Sequence, residues 1–321
     1  MKIPLRLIVM ALGCFAANAG AQAYPSRPIR FVVGYAPGGN IDVTARILAS
    51  SFTEQFGKTV IVDNRPAVHG LISGSIVAKS APDGYTLLVG SSGQMTTSDP
   101  PADMHYDYVK SFAPVGSAQI SPYVMISTVK PPIAKLNLNE LITYAKQRPG
   151  QVTIAHSGYG TRLVLELVNT MAGIKLLPVP YKGGAPALTD LIGGQVDTMM
   201  TQLAAATGAM RDNRVKGLAV TTLKRSSVAP GIPTFDESGL RGFEAGTFVG
   251  MIAPAGTPPA VIRTLNAAIL RAVRTPAIQD KFREMGADTQ ETTPEQFGSM
   301  IRGDIVKWKK VAQAAGVQPD E

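Results

Sequence analysis

Few residues in this chain could do covalent chemistry. Its three histidines, His69, His105 and His156, lack the H-x-x-x-H spacing that places two imidazoles on one helical face, so no zinc site is expected. The single cysteine, Cys14, sits in an N-terminal apolar run. Gly57-Lys58-Thr59 has the ending of a phosphate-binding loop, but Phe52 stands where that loop needs glycine. G-x-S-x-G does not occur. Ser157 beside His156 is the one local nucleophile–base pair, and neighbours on a strand point to opposite faces. No catalytic residue, metal or cofactor is therefore expected.

What remains is a chemistry of backbone donors. Tyr35-Ala36-Pro37-Gly38-Gly39-Asn40-Ile41-Asp42 runs from a β-branched apolar segment into a helical one. Glycines admit close approach of a ligand, and a helix start offers unpaired N–H groups and partial positive charge, which suits an anion. A plain turn capped by Asn40 or Asp42 is the simpler alternative. His156-Ser157-Gly158-Tyr159-Gly160-Thr161-Arg162 repeats the arrangement later in the chain. Leu163 replaces the third glycine of a dinucleotide fingerprint, which argues against a nucleotide. Ser91-Ser92-Gly93-Gln94 is a third loop with small donors.

Alternating strands and helices must position these loops. Ile29–Tyr35, Thr59–Val62 and Tyr85–Gly90 read as strands around helices at Ile41–Phe56 and Leu71–Lys79. Tyr123–Thr128, Val152–His156, Leu176–Tyr181, Val196–Met200 and Lys216–Thr222 continue the strands, with helices at Leu138–Arg148, Thr161–Ala172 and Ala185–Ile192. After a Pro- and Gly-rich connector, Phe248–Ala253 is a last strand. Helices Pro258–Arg274, Pro276–Met285 and Pro294–Ala315 follow, each opening near a proline that suits a first turn. The β-α-β order implies parallel sheets covered by helices, and 321 residues leave room for about two such domains.

Composition narrows the function. Residues 1–6 are short and basic, Leu7–Ala17 is apolar, and Ala21-Gln22-Ala23 fits signal-peptide cleavage after Ala23. A lipid anchor on Cys14 is the less favoured reading. Later apolar stretches fall short of the ~20 residues needed to span a bilayer. The net charge of +8 is scattered rather than run together, and aromatics are only 6% of the chain, so a nucleic-acid surface is not expected and a small anion is.

The chain resembles the Bug-type extracytoplasmic solute receptors of tripartite tricarboxylate transporters. The resemblance rests on Tyr24-Pro25-Ser26-Arg27-Pro28, Pro37-Gly38-Gly39 with Asp42 and Arg46, Asp63-Asn64-Arg65-Pro66, Ala81-Pro82-Asp83-Gly84-Tyr85, Pro180-Tyr181-Lys182-Gly183, Asp190-Leu191-Ile192-Gly193-Gly194 and Ala253-Pro254-Ala255-Gly256-Thr257-Pro258. It implies an α/β type II periplasmic-binding-protein fold, two Rossmann-like lobes joined by a hinge with a ligand cleft between them. The expected division is a signal peptide over 1–23, lobe one over 24–122, lobe two over 123–243, and a return to lobe one over 244–321. The resemblance also implies a periplasmic protein that captures a small carboxylate by hinge closure and delivers it to a membrane permease. Docking on a sensor kinase and a periplasmic hydrolase are the alternatives. The default expectation for assembly is a monomer.

Expected ligand contacts are Tyr35, Pro37, Gly38, Gly39, Asn40, Asp42, Ser91, Ser92, Gln94, Ser157, Gly158, Tyr159, Gly160, Thr161, Arg162, Gln202 and Phe248. Several positions depart from the family pattern. Tyr35-Ala36 replaces Phe-Pro, Ala67-Val68-His69-Gly70 replaces a glycine-rich run, and Phe248 stands where the family often has Trp. Arg162 is unusual in the second loop and could be a second carboxylate clamp or a solvated residue.

Overall fold

A computed structural model describes residues 24–67, 70–97 and 105–317; the expected signal peptide, Cys14 and His69 lie outside them. Strand β1 (Ile29–Val33) leads through a turn over 35–39 into α1 (Asn40–Phe56). β2 (Val60–Asn64), α2 (Leu71–Ala78) and β3 (Thr86–Ser91) follow. β2, β1 and β3 pair in parallel. Gly57 at φ 62° closes α1 with a left-handed residue, a conformation that glycine adopts without strain. Phe31, Phe52 and Phe56 meet edge to face, ring centroids 5.5 and 5.4 Å apart, and fasten α1 to the sheet.

β4 (Phe112–Thr128) is 17 residues long and serves both halves of the molecule. Beyond it lie α3 (Leu138–Lys146), β5 (Thr153–His156), α4 (Tyr159–Ala172), β6 (Leu177–Pro180), α5 (Gly184–Gly193), β7 (Thr198–Gln202), α6 (Leu203–Arg211) and β8 (Val215–Val220). β9 (Gly246–Pro254) then returns to lie antiparallel between β3 and β4. α7 (Pro259–Val273), α8 (Pro276–Glu284), the short β10 (Asp288–Thr289) and α9 (Pro294–Ala315) complete the chain. The sheet order is β2-β1-β3-β9-β4-β7-β5-β6, with β8 and β10 also paired to β4.

Each lobe has its own core on both faces of its sheet. In the first, Phe31, Leu48, Phe52 and Leu87 pack with Val249, Leu265 and Phe282 from the late elements. Val32, Met95, Phe248 and Phe297 fill the other face. In the second, Ile154, Leu163, Val168 and Met200 form one core, and Val124, Leu191 and Leu203 the other. The tail does not stay on one lobe. α9 buries Phe297 and Ile301 in the first lobe, whereas Trp308 and Val311 join the core of the second. A capping box between Thr293 and Gln296 fixes where this helix starts.

Candidate ligand-binding site

The first loop is shaped by a buried carboxylate. Asp42 is 2% exposed and accepts from the Gly38 N–H at 2.8 Å, Arg46 Nε at 3.0 Å and Asn64 Nδ2 at 2.9 Å. Burial pushes its pKa up, but the Arg46, Gly38 and Asn64 bonds outweigh this and hold it below the usual carboxylate value. Asn64 also donates to the Tyr35 carbonyl at 3.0 Å. Asp42 thus organises the loop. Pro37, Gly38, Gly39 and Asn40 are left exposed on the rim, and no side chain caps α1. Asn40 Oδ1 accepts from Gln119 Nε2 of β4 at 3.0 Å, which ties the loop to the strand that crosses between lobes.

Tyr35 Oη lies 3.2 Å from Ser91 Oγ, so the first and third loops meet. After Ser91 and Ser92 the chain makes a single π-helical turn, Gly93–Thr97. The Gln94 side chain is fully buried and donates to Gly70 O at 2.7 Å and Ser73 Oγ at 3.0 Å. It braces lobe one and does not line the cleft. Phe248 is likewise 1% exposed, its ring against Phe297.

In the second lobe, α4 starts at Gly158, whose φ of 91° suits glycine and whose helix lacks a side-chain cap. Thr161 Oγ1 is engaged locally, accepting from the Ser157 N–H at 3.1 Å and donating to Gly158 O at 3.0 Å. Arg162 Nη2 is paired with Glu166 Oε1 at 2.9 Å on the next turn, while its Nε is buried without a hydrogen-bond partner. His156 is 4% exposed and neither ring nitrogen has a hydrogen-bond partner. Burial, then the Arg162 charge, lowers its pKa, which favours the neutral ring. No hydrogen bond joins it to Ser157, so the pair is not assembled as nucleophile and base. Gln202 is exposed at the start of α6.

A third helix start escapes the sequence reading. α5 begins beside Gly183, at φ 140°, again without a side-chain cap. A Cβ on Gly184 would lie 4.0 Å from both Ser157 Oγ and Thr201 Oγ1, so this start adjoins the second loop. Its signal is the strand–glycine–helix order of Pro180-Tyr181-Lys182-Gly183-Gly184.

Between the lobes is a cavity of about 180 Å³. Ser91, Ser92 and Thr96 line it from lobe one, and Gly160, Leu163 and Val164 from α4. Tyr123 and Thr247 come from the two crossing strands, and Trp308 from α9. Thr247 Oγ1 bonds Tyr123 Oη at 3.2 Å, and a Cβ on Gly160 would meet that oxygen at 3.0 Å. Of the expected contacts, Ser91, Ser92 and Gly160 share this cavity, with Tyr35 joined through Ser91. Tyr123, Thr247 and Trp308 carry no sequence signal, because their place depends on how the lobes are joined. Among the described residues no cluster of His, Cys, Asp or Glu could hold a metal.

Residues 44–317 match the tripartite tricarboxylate transporter family receptor model. Protein BugT of Bordetella pertussis is 34% identical over 322 residues, covering 97% of this chain and 98% of its own. A solved R. palustris protein with adipate is 33% identical with a TM-score of 0.67, covering 92% of this chain and 99% of that one. MatC of Rhodopseudomonas palustris with bound malate is 30% identical with a TM-score of 0.63, covering 90% and 99%. A Polaromonas TctC solute-binding protein without ligand is 26% identical, yet its TM-score is 0.82, covering 91% and 99%. Shape thus runs against sequence here, nearer to the ligand-free relative than to the two liganded ones. By the family match over most of its length, this chain belongs to the receptor family of tripartite tricarboxylate transporters.

Proposed function

We propose that this protein is a periplasmic receptor that captures a small carboxylate by hinge closure and delivers it to a tripartite tricarboxylate-type permease. The observation that carries the reading is that glycine-marked helix starts of both lobes converge on one interlobe cavity: Gly160 of α4 lines it, the α1 loop reaches it through Tyr35 and Ser91, and the α5 start adjoins the α4 loop at Ser157. Such starts present N–H donors and partial positive charge to an anion without a dedicated cation. The contacting residues would be the rim at 37–40, Tyr35, Ser91 and Ser92 on one side and residues 157–160 on the other. The lobes would divide at residues 122/123 and 243/244, so that β4 and the start of β9 form the hinge. A ligand touching both lobes favours the closed state, and one touching a single lobe does not. On this reading the receptor performs no chemistry on its ligand. Export with cleavage after Ala23 would leave Tyr24 first, its hydroxyl already anchored on Gly84 O at 2.6 Å.

The test is a thermal-shift screen of residues 24–321 against mono-, di- and tricarboxylates. A ligand at about 100 times its Kd adds about 2.7 kcal/mol and raises the melting temperature by several degrees. A folded protein that no carboxylate stabilises would refute the reading.

A further inference from the structure

We propose that the Tyr123 hydroxyl donates a hydrogen bond to the bound carboxylate and that Thr247 aims it, so that the strands crossing between the lobes add side chains to the site. The proposal rests on the carboxylate-receptor reading and deepens it. Both residues line the interlobe cavity, Tyr123 from β4 and Thr247 from β9. Thr247 Oγ1 donates to Tyr123 Oη at 3.2 Å. A phenol oxygen that accepts still has its own proton to give. Among the described residues no acceptor takes that proton. A Cβ on Gly160 would lie 3.0 Å from the same oxygen, so the unspent donor stands against the first turn of α4. First-turn N–H groups have no intrahelical acceptor and draw an anion. A carboxylate drawn to that turn comes within reach of the phenol, and a hydrogen bond to an ionised acceptor is roughly twice as strong as a neutral one.

The donor is in place before any ligand arrives. The Tyr123 ring packs against the core of lobe two. Its backbone is pinned independently of the hydroxyl: the N–H donates to Thr221 Oγ1 at 2.9 Å, and the carbonyl accepts from the Thr221 N–H at 3.0 Å. Thr247 is held by strand pairing opposite Ser121, with Gly246 opposite Pro122. These are the strands proposed as the hinge, where a rotation displaces atoms least, so the pair keeps its place as the lobes approach. By donating to the phenol oxygen, Thr247 turns the phenol proton away from β9 and keeps it for the ligand. Burial raises the Tyr123 pKa, and the Thr247 bond offsets this only in part. The phenol therefore stays protonated, and a donor, at neutral pH where a carboxylate is ionised.

The test screens succinate, malate, adipate, citrate and benzoate by thermal shift and titrates the acid that stabilises most by calorimetry. Tyr123→Phe keeps the ring and removes only the oxygen; affinity should fall by about tenfold or more, with a cooperative melt retained. Thr247→Val should weaken binding by about threefold, whereas Thr247→Ser, which keeps the hydroxyl, should bind as the unaltered protein does. Because Thr247 acts through Tyr123, Thr247→Val should cost little further in the Tyr123→Phe background. A folded Tyr123→Phe protein that keeps full affinity would overturn the proposal and leave the receptor reading standing. If that variant fails to fold, full affinity in Thr247→Val would do the same. Equal losses from Thr247→Val with and without the Tyr123 oxygen would reduce Thr247 to a brace and overturn its part. No stabilisation by any acid would remove both the proposal and the reading beneath it.

Discussion

At the scale of the residue, the lesson is direction. Asp42, Gln94, Arg162 and Phe248 all sit in or beside the segments that the sequence nominates, yet none lines the interlobe cavity. Asp42 is engaged by three donors, the Gln94 amide nitrogen by Gly70 and Ser73, one Arg162 nitrogen by Glu166, and Phe248 by the core. Spacing reveals that a loop carries glycines and donors; it does not reveal which side chains are spent on shaping that loop. Asp42→Asn should expose this role. Replacing a buried, charge-assisted acceptor should cost about 1–3 kcal/mol at neutral pH and weaken carboxylate binding through a looser first loop. The pH dependence has a definite sign. Asp42 has a lowered pKa in the fold, so its stabilisation is present above the unfolded value of about 3.9 and is lost as pH falls through the folded value. Denaturation curves of the two proteins should therefore differ at pH 7 and converge at the acid end. A constant gap across that range would show that the Asp42 charge contributes nothing.

At the scale of the element, most helices and strands are legible because their apolar periodicity is regular. α9 is legible at both of its observed ends, marked by Thr293-Pro294 and Gly316. The pattern reveals β4 only from Tyr123 onward, although the strand begins at Phe112. Its first half contains Pro114, Gly116, Ser117, Gln119, Ser121 and Pro122, residues that interrupt any strand pattern. The structure accommodates them with register shifts at Pro114/Gly116 and Ser117/Gln119, and with polar bonds such as Gln119 to Asn40. α6 escapes the pattern because Leu203–Arg211 is short and rich in alanine, glycine and threonine, with few large apolar residues to mark a face. The helix starts are legible as glycines. Gly158, at φ 91° and ψ 170°, occupies backbone space that side chains rarely enter, and a Cβ there would meet nothing within 4 Å. Gly158→Ala should therefore act through the backbone alone. The loop would shift to relieve strain of about 1–3 kcal/mol and misaim the first N–H groups of α4. Affinity for the carboxylate found in the screen should drop by about tenfold or more in calorimetry, with a cooperative melt retained. Unchanged affinity would mean that the α4 start is not part of the site.

At the scale of the whole molecule, the two lobes also touch behind the hinge. In the extended run from Ile120 to Tyr123, Tyr123 lines the interlobe cavity, whereas Ile120 lines a separate cavity of about 760 Å³. Residues an odd number apart on a strand face opposite sides, so the two cavities lie on opposite faces of the crossing strand. The rear face has its own bonds between lobes. The Ser227 N–H and Oγ both donate to Asp288 Oδ1, at 2.9 and 2.5 Å. Near the same edge of β4, the Gly286 turn packs so closely on the start of α6 that a Cβ would lie 2.3 Å from Ala204 Cβ. In the proposed closure the front of the molecule shuts and groups at the rear separate, so these bonds would weight the equilibrium toward the open form. On that proposal, ligand affinity would reflect both the interactions made in the cleft and those broken behind it, because the competent state would be only fractionally populated before binding. Asp288→Ala removes the rear hydrogen bonds without touching the cleft. They are exposed and worth about 1 kcal/mol, so affinity should rise by up to about fivefold. The unliganded variant should also show a smaller radius of gyration in solution scattering. A fall in affinity would mean that the Ser227–Asp288 pair belongs to the closed form, and that the hinge rotates about an axis other than the β4–β9 crossing.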